Sequence, residues 1–397
     1  QDTLVSMLNG NEEFIMIDDQ KIVYEEALSL ASEVKTGSEK KVMIVKGGPG
    51  TGKTVISINL LVELTKRGIL AQYTTKNSAP REVYFEKLKG KKHEMSPKLL
   101  FKSSGSYVDS EYNELGVIIA DEAHRLNAKS GMFHNKGENQ IKEIIHAAKL
   151  SVFFIDESQR VTTSDIGSDN EIRKYADEQN AEIIEMKLES QFRCNGSDGY
   201  LAWLDHILGI HDTANTEFDF DYDFQIFDDP NELRKTIISK NANNKARMIA
   251  GYCWNWVTKG KNNPNLYDIN IDQYNFHMSW NLSNTKTWSI DEGSIDQCGC
   301  IHTCQGLEFD YVGVIIGDDL RYENGHLITD ASQRARTDKS LKGLGKMSKE
   351  NPEKAVRIAD EIIRNTYRTL MTRGMKGCYI YCTNKELSDY IKDTMKV

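Results

Sequence analysis

The sequence GGPGTGKT occupies residues 47–54, directly after the apolar run VMIV at 42–45 and directly before VISINLL at 55–61. This order predicts a buried strand, a glycine-rich loop and a helix. In the spacing G-x-x-x-x-G-K-[ST], small residues let backbone N–H groups close around phosphates at a helix N-terminus, whose dipole favours anions. The sequence therefore predicts that the chain binds a nucleoside triphosphate.

The residues of this loop have distinct expected roles toward ATP. Lys53 is expected to reach the β- and γ-phosphates, and Thr54 is expected to hold Mg²⁺. The other loop residues are expected to surround the phosphates, and they are Gly47, Gly48, Pro49, Gly50, Thr51 and Gly52.

Length, charge and cysteine content limit the class of protein. The 397 residues are too many for one ordinary core and indicate two α/β domains. A net charge of −9 argues against a generally basic nucleic-acid-binding protein, but it allows a local basic groove. The seven cysteines do not form the framework of a secreted domain, and no apolar stretch is long enough to cross a bilayer. We therefore expect a reduced, cytoplasmic protein with no membrane partner.

The chain begins with Gln1 rather than Met, which is typical of a processed chain or of a fragment of a longer one.

Short β-rich runs alternate with helical patterns, which predicts mainly parallel sheets flanked by helices. The runs lie at 42–45, 70–75, 117–120, 152–155, 299–303, 311–316 and 378–383. Two lobes are expected, at 1–190 and 191–397, with an insertion near 255–296 and a mobile basic loop near 330–350.

Three features leave alternatives open. The acidic and aromatic stretch at 217–229 fits an edge strand with a solvated carboxylate face or a docking surface for a basic partner. The basic loop fits a plain solvated loop or a phosphate-contacting arm. The five tryptophans fit core positions, a cleft wall or base-stacking positions.

Two acids follow the apolar run in VIIADEAH, residues 117–124, at the strand end where a parallel sheet presents its ligands. This pattern is a Walker B motif with an adjacent glutamate. Asp121 is expected to accept the Mg²⁺ shell, and Glu122 to orient or deprotonate the attacking water. His124 either couples the ATP site to a strand-binding cleft or only makes a local hydrogen bond.

The next apolar run ends in DESQ at 156–159. The amide of Gln159 is able to sense a γ-phosphate without adding charge, and we expect it to act as a sensor.

The order of these motifs resembles that of superfamily 1 helicases and related ATPases, in which two RecA-like P-loop NTPase lobes sandwich ATP and grip single-stranded nucleic acid. The resemblance implies that Gln20 reads adenine. It implies that Thr74, Thr75 and Asn77, in the motif Ia-like YTTKNSA, contact the nucleic-acid backbone. In LESQFR at 188–193, it makes Arg193 a γ-phosphate ligand.

Two later segments extend the resemblance. HTCQGLEFD at 302–310 resembles motif V, which links nucleic-acid binding by His302 and Thr303 to the nucleotide side at Glu308. YRTLMTRG at 367–374 resembles motif VI and implies that Arg373 is a cis arginine finger supported by Tyr367 and Arg368. An arginine finger is worth about 10³–10⁵ in rate.

More narrowly, these segments resemble a bacterial ATPase family related to the helicase-like domain of Schlafen proteins. In that family a nuclease domain is often attached, although nothing in this sequence is a nuclease. Two functions follow: an ATP-driven helicase or translocase on single-stranded DNA or RNA, or an ATP-dependent switch that regulates an attached effector. The Cys298, Cys300, His302 and Cys304 group lacks the paired C-x₂-C spacing of a zinc site and overlaps motif V, so we do not predict a metal there.

Overall fold

The structure is a computed structural model. It describes residues 16, 18–37, 39–76, 81, 97–131, 135–189, 198–211, 213–257, 266–281, 287–304 and 307–395. The chain divides into two compact units. Unit 1 contains Gln1–Arg160 and Ser164–Gln191, and unit 2 contains Val161–Thr163 and Phe192–Val397.

Unit 1 contains a six-stranded sheet in which every neighbouring pair is parallel. Its strands are β1 (Lys41–Gly47), β2 (Ala71–Thr75), β3 (Phe101–Ser103), β4 (Leu115–Ala120), β5 (Ala148–Ile155) and β6 (Glu182–Leu188). Its helices are α1 (Asp18–Thr36), α2 (Lys53–Lys66), α3 (Pro97–Leu100), α4 (Gln140–Ala147) and α5 (Asp169–Glu178). The strand order is β3-β2-β4-β5-β1-β6, so β5 separates the strand of the phosphate loop from the strand of Asp121.

The sheet of unit 1 is buried on both faces. Side chains alternate along a strand, and in β1 Met43 and Val45 pack in one core cluster with residues of α1 and α2. Val42 and Ile44 pack in the opposite cluster with residues of α4 and α5. All four side chains are fully buried. This two-sided burial explains the continuous apolar run before the phosphate loop.

Unit 2 contains a seven-stranded sheet and a separate hairpin. Its strands are β7 (Asp223–Ile226), β8 (Ala246–Ala250), β9 (Ile269–Ile271), β10 (Phe276–Trp280), β11 (Gln297–Gly299), β12 (Phe309–Ile316), β13 (Leu320–Glu323), β14 (His326–Thr329) and β15 (Gly374–Cys382). Its helices are α6 (Asp198–Ile207), α7 (Pro230–Ser239), α8 (Ile301–Cys304), α9 (Leu344–Glu350), α10 (Pro352–Met371) and α11 (Lys385–Asp393). The main order is β7-β15-β12-β8-β11-β10-β9, and β13 pairs with β14.

Parallel pairing dominates this sheet as well. Only β9 and β10 pair antiparallel within it, and both lie in the segment that the sequence predicts to be an insertion. The predicted α/β fold class, with mainly parallel sheets flanked by helices in two units, is confirmed. Among the helices of the described ranges, none has the length and apolar character needed to cross a membrane.

The acidic and aromatic stretch ends in the edge strand β7. Its aromatic residues pack inward, since the rings of Phe218 and Phe224 lie 5.0 and 5.1 Å from the ring of Trp203. The intervening acids Asp219 and Asp221 are exposed. The acidic residues of this stretch therefore face solvent, and the aromatic residues that alternate with them pack against unit 2.

The predicted strand at 299–303 is partly wrong. Strand β11 ends at Gly299, and residues Ile301–Cys304 form the short helix α8. The hydroxyl of Thr303 accepts a hydrogen bond from the backbone N–H of Cys300 at 2.9 Å, which caps this helical turn. The apolar and β-branched residues favour a strand, but the local cap favours the turn.

Candidate functional site

The phosphate loop joins the carboxyl end of β1 to the first turn of α2. Gly52 precedes the helix with a φ of 85°, in the left-handed region that favours glycine. A Cβ atom there would lie 2.2 Å from Nε2 of Gln20, so a larger residue would displace the Gln20 amide from the loop. Gln20 donates from Nε2 to the carbonyl of Thr51 at 3.0 Å. The structure thus places Gln20 against the loop, and its adenine-reading role stays a prediction.

Lys53 directs its charge into this loop. Its Nζ donates hydrogen bonds of 2.6 Å to the carbonyls of Gly47 and Gly48. It also lies 3.9 Å from Oδ2 of Asp156. The side chain is only 5% exposed, so its charge is concentrated inside the loop rather than spread into solvent.

The two predicted metal ligands meet directly. Thr54 donates from Oγ1 to Oδ2 of Asp121 at 2.7 Å, and the hydroxyl of Tyr73 donates to the same oxygen at 2.8 Å. Burial, followed by the neighbouring charge of Glu122, raises the pKa of Asp121. Tyr73 was not singled out from the sequence, because an aromatic residue in a strand reads as core.

Glu122 is held in an unusual backbone conformation. Its φ of 54° and ψ of 44° lie in the left-handed region, where a glutamate is strained by about 1–3 kcal/mol. Its N–H donates to Oδ1 of Asp121 at 2.9 Å. Such strain at a motif with two acids is typical of functional sites.

His124 lies between Glu122 and the next strand. Its Nδ1 accepts the backbone N–H of Asp156 at 3.3 Å, so Nδ1 carries no proton in this contact. The other nitrogen, Nε2, lies 3.0 Å from Oε2 of Glu122. A neutral His124 therefore carries its proton on Nε2, facing the glutamate. The structure therefore shows local contacts of His124 within unit 1. The alternative, coupling of the ATP site to a strand-binding cleft, stays a prediction.

Gln159 contacts the acid that begins its own motif. Its Nε2 donates to Oδ2 of Asp156 at 2.6 Å, the same oxygen that lies near Lys53. The side chain is 1% exposed. Its role as a γ-phosphate sensor stays a prediction.

The two threonines of motif Ia are buried. Thr74 and Thr75 are 0% and 1% exposed, because both lie within β2, and their contact with the nucleic-acid backbone stays a prediction. Lys76 follows them and keeps 24% of its side chain exposed. Asn77 lies outside the described residues, as does the predicted phosphate ligand Arg193.

The buried carboxylate of Asp165 forms ion pairs with Lys76 and with Arg125, the residue after His124. Oδ1 of Asp165 lies 3.2 Å from Nζ of Lys76, and Oδ2 lies 2.9 Å from Nε of Arg125. Asp165 is 0% exposed. Burial lowers the pKa of Lys76 to about 8, although the charge of Asp165 opposes the shift. Asp165 was missed because a lone aspartate in a loop carries no sequence signal.

We expect Asp165→Asn to destabilise unit 1, because the buried Arg125 and the partly exposed Lys76 lose their counter-charge. Removal of one partner from a buried ion pair costs about 3–5 kcal/mol. All five tryptophans lie in unit 2. In urea, the circular-dichroism signal should therefore show an earlier loss of unit 1 helices, whereas the tryptophan fluorescence transition of unit 2 should not move.

The control for this experiment is Asp177→Asn, which changes an exposed acid of the same unit. Equal circular-dichroism transitions for the two variants would contradict a stabilising role for Asp165.

In motif V, His302 has a half-buried side chain with two polar neighbours. Its Nε2 lies 3.3 Å from Oδ1 of Asp338 and 3.3 Å from Oγ of Ser340. The hydroxyl of Thr303 is engaged with Cys300 within the same turn. Glu308 is exposed just before β12. The nucleic-acid roles of His302 and Thr303 and the nucleotide role of Glu308 stay predictions.

Motif VI is anchored inside unit 2. Arg373 is 0% exposed, and it donates from Nε to the carbonyl of Thr369 at 3.0 Å and from an NH group to the carbonyl of Leu307 at 3.3 Å. Its guanidinium therefore contacts the backbone of the motif V segment at Leu307. The arginine-finger role stays a prediction.

The two residues expected to support Arg373 have structural partners. Arg368 makes a bidentate ion pair with Asp205 of α6. Its Nε donates to Oδ1 of Asp205, and its Nη2 donates to Oδ2 at 3.1 Å. The hydroxyl of Tyr367 donates to Asp319 and accepts the N–H of Gly317 at 2.9 Å. Burial, followed by the charge of Asp319, raises the pKa of Tyr367 well above its usual value.

The segment predicted to be a mobile basic loop contains a buried ionic cluster. Arg334 lies 3.1 Å from Asp319 and 3.5 Å from Asp338, and it donates to the hydroxyl of Thr366 at 3.1 Å. Its side chain is only 3% exposed. Burial raises the pKa of Asp319. Arg334 thus differs from a solvated loop residue, because two buried carboxylates neutralise its charge.

The oxygen ligands near the phosphate loop fit Mg²⁺. A hydroxyl and a carboxylate are hard donors, and Mg²⁺ is commonly bound by one or two carboxylates together with substrate phosphates. Throughout the described part of the chain, no group of three or more His, Cys, Asp or Glu side chains is placed to hold a metal ion by itself. Thr54 and Asp121 would supply two oxygen ligands, and phosphate oxygens and water would supply the others. The six cysteines that the structure describes are free thiols.

Known proteins resemble this chain over most of its length. A family model described as Schlafen group 3, DNA/RNA helicase domain, matches residues 40–384. The uncharacterized protein YPL245W of Saccharomyces cerevisiae is 26% identical over 387 residues, which covers 87% of this chain and 82% of the yeast protein.

Solved structures show weaker similarity. Pif1 helicase from Candida albicans is 13% identical with a TM-score of 0.31, and the match covers 57% of this chain and 55% of that one. AMPPCP-bound DnaA from Aquifex aeolicus is 17% identical with a TM-score of 0.26, and the match covers 59% of each chain. The chain thus spans less than two thirds of the length of these two proteins.

Proposed function

Because the chain belongs to the Schlafen group 3 DNA/RNA helicase domain family, an ATPase/helicase-type module, we propose that it hydrolyses ATP in a cycle coupled to single-stranded nucleic acid. The observation that supports this most is the direct contact of Thr54 with Asp121, 2.7 Å apart, beside the strained Glu122. A phosphate loop alone binds a nucleotide. A phosphate loop together with a metal ligand such as Asp121 and a glutamate fixed next to it, Glu122, has the groups that hydrolysis needs.

ATP binding is assigned to the loop and to Lys53. The backbone N–H groups at the start of α2 and the helix dipole favour the phosphates. The ammonium of Lys53, which now donates to two loop carbonyls, supplies the charge that offsets the β- and γ-phosphates. Gln20 is already fixed against Thr51, and it is the residue assigned to adenine.

Thr54 and Asp121 are assigned to Mg²⁺, which when bound neutralises phosphate charge. Tyr73 acts on this pair, because its hydroxyl fixes the carboxylate oxygen that also accepts from Thr54. Loss of an outer partner of a metal ligand typically weakens metal affinity about 10- to 100-fold.

We therefore expect Tyr73→Phe to raise the Mg²⁺ concentration for half-maximal ATP turnover by about 10-fold or more. The maximal rate at saturating Mg²⁺ should change less, because the catalytic glutamate is untouched. Magnesium titrations of steady-state hydrolysis check this. Tyr112→Phe, an exposed tyrosine of the same unit, is the control, and an unchanged Mg²⁺ requirement in Tyr73→Phe would remove Tyr73 from the site.

Glu122 is assigned as the residue that orients and deprotonates the attacking water. His124 lies between this carboxylate and Asp156: its Nε2 is 3.0 Å from Oε2 of Glu122, and its Nδ1 accepts the backbone N–H of Asp156. Gln159, bonded to Asp156, is assigned as the sensor of the γ-phosphate.

The nucleic-acid contacts are assigned to His302 and Thr303 in the lobe at 191–397, and ATP binding chiefly to the lobe at 1–190. Arg373 and Arg193 are assigned to γ-phosphate charge. In unit 1 the accessible cation at the motif Ia position is Lys76, next to the buried Thr75. The proposal includes one protein partner, a nuclease domain that is fused to this chain or associated with it.

Direct binding tests the nucleic-acid part of the proposal. Fluorescence anisotropy of labelled single-stranded DNA and RNA should show binding that weakens as salt rises, because phosphate contacts release counterions. A nonhydrolysable ATP analogue should change the affinity of the wild type but not that of Lys53→Ala. Absence of binding to both polymers at low salt would contradict the proposal.

A further inference from the structure

Two of the five tryptophans are accessible. Three are almost fully buried, at no more than 2% exposure, and they are Trp203, Trp280 and Trp288. Trp254 and Trp256 are half-buried, and both pack against the core of unit 2 while part of each side chain reaches solvent. They follow the carboxyl end of β8, in a segment that we call the tryptophan segment, residues 252–257.

The tryptophan segment is hydrogen-bonded to a second segment, residues 334–342, which we call the basic segment. Three hydrogen bonds join the segments: Ala335 N–H to the carbonyl of Tyr252 at 2.9 Å, Arg336 N–H to Oδ1 of Asn255 at 3.0 Å, and Trp256 N–H to Oγ1 of Thr337 at 3.2 Å. Each bond is donated by a backbone N–H and accepted by a carbonyl or side-chain oxygen, so none of the three uses an indole ring. A further bond, from Nε1 of Trp280 to the carbonyl of Trp254 at 3.1 Å, fixes the other end.

The basic segment presents positive charge without exposed acids. Its single acid, Asp338, has a side chain only 2% exposed, and it is used by Arg334 and His302. The three exposed cations of the segment have no carboxylate within ion-pair distance among the described residues, and they are Arg336, Lys339 and Lys342. In a chain of net charge −9, this local surplus of positive charge complements a polyanion.

The basic segment also touches motif V. His302 contacts both Asp338 and Ser340, at 3.3 Å each. The ring of His302 lies 6.2 Å from that of Tyr252, which begins the tryptophan segment. The partly accessible indoles, the three exposed cations and the half-buried His302 of motif V therefore belong to one connected part of unit 2.

We propose that Trp254 and Trp256 form a base-stacking subsite for single-stranded nucleic acid, with Arg336, Lys339 and Lys342 binding its phosphates. The inference rests on the proposed function and adds which aromatic side chains stack on the bases. Stacking on aromatic side chains tolerates every base, because every base has a π face, and a cationic border tracks the backbone. The subsite therefore binds single strands with little sequence preference.

Affinity for matched oligonucleotides tests the subsite. The full chain is titrated into two labelled single strands of equal length, one with bases and one with abasic sugars at every internal position. Trp254→Ala and Trp256→Ala should each weaken binding of the strand with bases by about 5- to 150-fold. Neither should change binding of the abasic strand, because that strand has no rings to stack.

The controls separate stacking from charge and from folding. Arg336→Ala should weaken binding of both strands and reduce the salt slope by about one. Trp256→Phe should retain most of the affinity, since it keeps an aromatic face. Val257→Ala changes an exposed neighbour on the same segment and should bind like the wild type.

The outcomes are distinguishable. Tryptophan variants that bind the strand with bases as tightly as the wild type, or that lose equal affinity for both strands, would overturn the subsite while leaving the proposed function intact. A wild type that binds neither strand would overturn the proposed function and the subsite together.

Discussion

Glu122→Gln is expected to lower ATP turnover by about 10²- to 10⁴-fold, the usual contribution of a general base, while ATP still binds. The amide keeps the size of the side chain, but it cannot accept the proton of the attacking water. Binding should persist because the phosphates are assigned to the loop and Lys53, not to this carboxylate. Single-turnover hydrolysis and a separate nucleotide-binding titration measure the two quantities independently.

The matched control is Glu178→Gln, which makes the same chemical change at an exposed position of unit 1. Wild-type turnover in Glu122→Gln would show that another group activates the water. Loss of ATP binding in that variant would instead show that the carboxylate organises the nucleotide pocket. The strained φ of Glu122 would then serve folding of the pocket rather than catalysis.

Arg373→Ala is expected to reduce turnover by about 10³-fold or more, as for other arginine fingers, with ATP affinity largely retained. The reason is that its charge stabilises the transition state more than the ground state. In the structure the side chain is buried and bonded to two carbonyls, so the substitution also removes internal hydrogen bonds of unit 2. Tryptophan fluorescence, which reports unit 2, must therefore show that the variant is folded under the assay conditions.

Two further variants sharpen this test. Arg357→Ala removes an exposed arginine from α10, the helix that ends just before Arg373, and should leave turnover unchanged. Arg373→Lys keeps the charge but loses the planar fork, so it should fall between the wild type and the alanine variant. A folded Arg373→Ala with normal turnover would restrict this residue to a structural role, and loss of ATP binding alone would make it a ground-state ligand.

Much of the fold could be predicted from the sequence because its strongest signals are local. The apolar run before GGPGTGKT and the run before Asp121 correspond to β1 and β4, whose side chains are buried on both faces. Strands of weaker pattern were harder to predict. Strand β6 carries exposed and half-exposed residues, and β11 gives way at Gly299 to a turn capped by Thr303.

The site was predictable where one residue type at one spacing performs the chemistry. The contact of Thr54 with Asp121 follows from two motifs whose strands end at the same edge of the sheet. The residues that hold these groups were not predictable. Tyr73 resembles a core aromatic, and Asp165 and Asp319 resemble loop acids, yet all three are buried and bonded to motif residues or their neighbours.

Burial distinguishes some polar residues in a way that the sequence does not show. Thr74 and Thr75 lie within β2 and are enclosed there. Arg334 lies in the segment interpreted as a solvated loop or a phosphate-contacting arm, but it is paired with the buried carboxylates of Asp319 and Asp338. Such pairings depend on tertiary contacts, which a composition pattern does not encode.

Steady-state ATP hydrolysis with and without single-stranded DNA and RNA tests the central claim most directly. The measurement is made at two salt concentrations with the wild type and with Lys53→Ala. The account predicts hydrolysis that a single strand stimulates, stimulation that weakens at the higher salt, and no turnover in Lys53→Ala. Equal rates with and without either polymer would contradict coupling to nucleic acid and would favour an ATP-dependent switch that regulates an attached effector.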